Sequence, residues 1–98
     1  MLTDAQIAKR VEQIAKSRLG RENVVRVFSE PGSGIDAEPL MVFTIVLTPN
    51  ALDRVAGGEV VDNLVAINDF FYELQDERKP HLRYATEEEL AAGDDPEC

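Results

Sequence analysis

Nine consecutive residues, Leu40-Met41-Val42-Phe43-Thr44-Ile45-Val46-Leu47-Thr48, lie between Pro39 and Pro49. A helix through this run would meet a proline at each end, and proline removes an N–H donor and clashes with the preceding turn. The short length, the β-branched content and the proline brackets therefore predict a strand. Side chains alternate across a sheet, so Met41, Phe43, Ile45 and Leu47 share one face and Leu40, Val42, Thr44 and Val46 share the other. Both sets are mainly apolar, the pattern of a strand buried on two sides. Each face needs a cover, and the remaining segments have to supply it.

Upstream, Thr3-Asp4-Ala5-Gln6 fits a capping box, with Leu2 placed to staple onto Ile7. Ile7, Val11 and Ile14, with Ala8 and Ala15 beside them, continue an apolar stripe at helical spacing. Gly20 closes this helix, and Lys16 and Arg18 in its last turn suit the carbonyl end of the dipole. Val24 to Phe28 is β-prone and runs into a turn-rich segment from Glu30 to Glu38, which predicts a hairpin with a long connection. A loop of that length has room for a mobile binding role, although a plain connection is simpler. Its glycines are not a phosphate cradle, because no Gly-Lys-Ser/Thr follows them.

A short turn opened by Asn50 or Asp53 and the pair Gly57-Gly58 precede the main helix, predicted from about Glu59 to Asp76. Val60, Leu64, Ile67, Phe71 and Leu74 form its expected core face, opposite Asp62, Asp69, Glu73 and Asp76. Apolar residues spill over both shoulders, with Val61, Val65 and Tyr72 on one and Ala66 and Phe70 on the other. At about 100° per residue the apolar arc spans roughly 220°, wider than one sheet contact requires. Lys79-Pro80 ends the helix, His81 to Ala85 reads as a third strand with Leu82 and Tyr84 on one face, and Thr86-Glu87-Glu88-Glu89 opens a short helix that stops at Gly93.

The predicted fold is α+β in the order α-β-β-α-β-α: a three-stranded sheet with two main helices packed on one face and a short C-terminal helix. A chain of 98 residues forms one compact domain, here 1–93, and the expectation for 94–98 is a disordered acidic tail. The third strand belongs either beside the central one, through a crossover, or beside the first, as in a split β-α-β.

Composition narrows function by exclusion. A net charge of −9 and a pI near 4.4 make nucleic acid an unlikely ligand and disfavour an anionic membrane, because such binding rests on basic side chains. The first 30 residues carry +2, so the remainder carries −11. Cys98, the single cysteine, forms neither an intramolecular disulfide nor a cysteine zinc site. No signal peptide or spanning segment is evident, so a cytoplasmic location is expected. His81 is the sole histidine, and Ser17, Ser29 and Ser33 lack a nucleophile elbow, so no catalytic residues are assigned. Asp69, Glu73 and Asp76 have i, i+4, i+7 spacing but read as the wet side of an amphipathic helix; neither a metal nor another cofactor is expected.

The dry central strand and the broad apolar arc together predict a non-catalytic protein-interaction module. It is expected to be a homodimer, or a small acidic subunit of the adaptor or antitoxin kind that binds a basic protein. The expected interface is Val61, Val65, Asn68, Phe70 and Tyr72. The alternative is an anionic-ligand protein or an enzyme with its site at a subunit boundary, where His81 and Arg83 alternate onto one strand face.

Overall fold

A computed structural model describes residues 2–55 and 57–93. The expected tail and Cys98 lie outside the described residues. The first helix, α1, spans Asp4–Leu19, and its capping box forms as the sequence dictates. Gln6 N donates to Thr3 Oγ1 at 3.2 Å, and Thr3 N donates to Gln6 Oε1 at 2.9 Å. Gly20 ends the helix at φ 102°, where a side chain would be strained, and its N–H donates to the Lys16 carbonyl at 3.1 Å. After a single 3₁₀ turn, Arg21–Asn23, the chain enters the sheet.

Strand β1 (Val24–Ser33) pairs antiparallel with β2 (Pro39–Leu47), and β3 (Lys79–Thr86) pairs parallel with the other side of β2. The order β1-β2-β3 places the dry strand in the centre. It also resolves the two arrangements left open by the sequence in favour of the crossover beside the central strand. The hairpin is tighter than expected, because β1 continues through Pro31, Gly32 and Ser33, and residues 34–38 alone make the connection. An edge strand tolerates Pro31, whose missing donor can lie on the unpaired side. Gly34 N donates to the Glu38 carbonyl at 2.9 Å and Asp36 N to Glu38 Oε1 at 3.1 Å, so the long mobile loop reduces to a short bonded turn.

A short helix, α2 (Ala51–Arg54), leads into the main helix α3, which spans Gly57–Leu74. Helix α3 starts two residues before Glu59 and stops two residues before Asp76. Gln75 at φ 56° breaks it, with Gln75 N donating to the Tyr72 carbonyl at 3.1 Å. The row Asp69, Glu73, Asp76 is therefore not continuous on one helix. Asp76 instead accepts Arg78 N at 2.8 Å and Arg78 Nη2 at 2.9 Å, and the guanidinium reaches on to Asp4 at 3.1 Å. The Arg78 hydrogen bonds hold the Asp76 carboxyl below the usual carboxylate range. This clamp ties the start of α1 to the turn before β3.

The core lies between the sheet and the helix pair. Ile7, Val11, Ala15 and Leu19 of α1 and Ile67 and Phe71 of α3 cover Met41, Phe43, Ile45 and Leu47. Phe43 and Phe71 meet edge to face with centroids 5.6 Å apart. The second face of β2 is covered differently. Val46 and Thr44 are buried there, beside their sheet neighbours Arg26 and Phe28. Arg26 lies 5.0 Å over the Phe28 ring, and its Nε and Nη2 each donate to Glu87 at 3.0 Å. Glu87 begins α4 (Glu87–Gly93), whose capping box pairs Thr86 Oγ1 with Glu89 N and Glu89 Oε1 with Thr86 N.

Thr44 Oγ1 is buried on this face without a hydrogen-bond partner. Thr44→Val keeps the shape and removes the orphaned hydroxyl, so it is expected to stabilise the protein by about 1 kcal/mol. Urea denaturation of both forms measures the difference. A loss of stability in the variant would show that the hydroxyl is bonded.

Candidate functional site

The surface that is unusual for a folded monomer lies on α3. Successive residues turn by about 100°, which puts Val61, Leu64, Val65, Asn68 and Tyr72 on one stripe, and every one of them is exposed. Tyr72 is 84% exposed, Val61 57%, Val65 51% and Leu64 42%. Single exposed apolar residues are ordinary, whereas these lie contiguously along one helix. Asn68 Nδ2 donates to the Leu64 carbonyl at 3.0 Å, which caps the stripe's one polar side chain locally.

Four of the five residues expected at an interface, Val61, Val65, Asn68 and Tyr72, share this stripe. Phe70 does not. It turns toward α1, half-buried, with Arg10 over its ring at 5.4 Å and its edge against Phe71 at 5.9 Å. Leu64 moves the other way: expected in the core, it joins the exposed stripe.

Both shifts have one cause. The buried line of α3 runs through Asn63, Ile67 and Phe71, so the helix is rolled toward α1 relative to the predicted face. Asn63 is fully buried, and its Nδ2 donates to the Tyr84 hydroxyl at 3.0 Å. Burial pushes the Tyr84 phenol above its ordinary range, against the opposing pull of that hydrogen bond. Asn63 was missed because its side chain is polar, yet its i, i+4, i+8 spacing with Ile67 and Phe71 marks the position. A half-buried tyrosine on β3 also calls for a donor or acceptor from the covering helix.

Helix α1 runs along the flank of α3 that carries Ala66, Asp69, Phe70 and Glu73. The stripe is on the opposite flank, over β3, because α1 packs on β1 while α3 packs on β3. Among the described residues β3 pairs with β2 alone, so the apolar stripe adjoins a strand edge that no other strand covers.

His81 and Arg83 do share a face of β3, on the side of the sheet away from α1 and α3. They sit opposite Val42 and Thr44 of β2. Arg83 Nη1 is 3.7 Å from Glu30 Oε2, with both side chains 53% exposed. An anion binding at Arg83 has to compete with that carboxylate. Among the described residues no three His, Cys, Asp or Glu side chains gather to hold a metal ion, and no helix is long and apolar enough to cross a membrane. Comparison of the chain with protein-family models, curated proteins and solved structures finds no match, so the site's chemistry rests on its own geometry.

Proposed function

We propose that this chain is a protein-interaction module whose docking surface is the exposed stripe of α3. The single observation that carries this reading is the run of Val61, Leu64, Val65 and Tyr72 along solvent. Burial of such side chains is worth about 25 cal/mol per Å², so a partner covering a few hundred Å² gains several kcal/mol. The rest of α3 is charged in the ordinary way, with Asp62, Asp69 and Glu73 around the helix from the stripe. The stripe carries no titratable group apart from the Tyr72 phenol, which suits recognition of a complementary apolar surface.

The reading is tested by replacing Val65 with a photo-crosslinking amino acid in cells, with Arg21 replaced in parallel as an exposed control. The expected result is a discrete protein adduct from position 65 and none from position 21. Absence of any adduct at 65, with the protein folded and expressed, would remove the proposal.

A further inference from the structure

The occupant of this surface is constrained by three properties of the strand beside it. First, the edge of β3 is regular. Its pairing with β2 runs without interruption from Lys79 to Thr86, whereas the other edge strand, β1, carries a bulge between Val24 and Arg26 and a proline at position 31. Bulges and prolines deter edge pairing, and β3 has only Pro80 near its start. Second, the edge and the stripe match in length: eight strand residues span about 26 Å and the 18 residues of α3 about 27 Å.

Third, the charge along β3 is polar from end to end. Residues 79–86 contain Lys79 and Arg83 and no acid, and the first turn of α4 follows directly, where Glu87 is held by Arg26 while Glu88 and Glu89 carry negative charge without a basic partner among the described residues. A cationic partner would meet basic side chains on this edge. A second copy, laid antiparallel about a two-fold axis, instead brings the Lys79 end of one strand to the Glu88 and Glu89 end of the other. The same rotation sets the two α3 stripes against each other, and the acidic row Asp62, Asp69 and Glu73, roughly 100° around the helix, stays in solvent.

Resting on the interaction reading above, we infer that the partner is a second copy of this chain, joined by antiparallel pairing of the two β3 edges and packing of the two α3 stripes. The product is a continuous six-stranded sheet with four main helices on one side. The contact is two layers deep and about 26 Å long, which is at the small end of stable interfaces, so dissociation in the micromolar range is expected.

Sedimentation of the full chain between about 1 and 300 μM, a range that brackets micromolar dissociation, tests this directly. The expected result is reversible dimerisation. Val65→Asp and, independently, Lys79→Glu are each expected to weaken it at least tenfold, and Glu73→Gln, on the α1 flank of α3 away from the stripe, is expected to leave it within twofold. All three positions are exposed, and circular dichroism confirms that the variants fold. Hydrogen exchange on the unaltered protein gives a second reading, with amides between residues 81 and 86 slowing as the concentration rises. A monomer throughout the range, a dimer insensitive to both variants, or a dimer whose β3 amides are unaffected would each overturn the inference. A monomer whose position-65 crosslink captures a different polypeptide overturns the second copy and leaves the interaction module standing. A monomer without a crosslink ends both.

Discussion

Replacing Phe43 with alanine is expected to lower the free energy of unfolding by about 3–5 kcal/mol, the range for truncating a fully buried aromatic side chain. Phe43 has no exposed surface, lies in the central strand and meets Phe71 edge to face at 5.6 Å. The space it leaves cannot easily collapse. Its floor is a strand fixed by neighbours on both sides, and its roof is formed by two helices, one of them tied to the turn before β3 through Asp4, Arg78 and Asp76. A domain of this size has roughly 5–15 kcal/mol of stability, so the variant sits close to its unfolding midpoint or beyond it. Urea denaturation followed by circular dichroism measures the change, and a loss below about 1 kcal/mol would displace the core from this residue.

Asn63→Asp is expected to produce a second large effect, and one that depends on pH. Asn63 is fully buried, with its Oδ1 unpaired and its Nδ2 on the Tyr84 hydroxyl. A protonated carboxyl at this position keeps the shape and can donate to the same hydroxyl. An ionised one is a buried charge without a counterion, which raises a carboxyl pKa by up to 3–5 units. The folded-state value then lies above the unfolded one. The variant therefore matches the parent best below about pH 4 and loses ground as pH rises toward the folded-state value. At about 1.4 kcal/mol per unit, a three-unit shift amounts to about 4 kcal/mol at pH 8. Tyr84 stays neutral throughout this window, since burial moves its ionisation further above an ordinary value that is already alkaline. Urea titrations of parent and variant at pH 5 and pH 8 give the comparison. An equal gap at the two pH values would mean that water reaches the side chain.

The fold was legible where backbone chemistry is local. The two capping boxes at Thr3 and Thr86, the stop at Gly20 and the proline-bracketed strand each depend on a few adjacent residues, and each appears as the sequence implied. What was illegible depended on contacts between distant segments. Whether Pro31 and Gly32 belong to a turn or a strand is decided by β1 being an edge, and the roll of α3 by a hydrogen bond from Asn63 to a strand 21 residues away. The cover for the second face of β2 was hidden for the same reason. Beside the buried Val46 and Thr44, Arg26 lies over Phe28 and donates to Glu87, a residue 61 positions further along the chain. At the candidate site, the apolar excess of α3 was visible from its helical wheel, whereas the side on which it would emerge required the position of α1.

The parallel pairing of β2 with β3 also fixes an order of events during synthesis. Helix α1 and the β1–β2 hairpin are complete by residue 47, and the contacts among these elements are available to a chain of that length. The second edge of β2 can be satisfied only after the whole crossover and residues 79–86 have been made. Until then the most apolar strand of the protein has one open side, a template for pairing with other unfinished chains. The late arrival of β3 thus closes the open side of β2 that would otherwise invite aggregation.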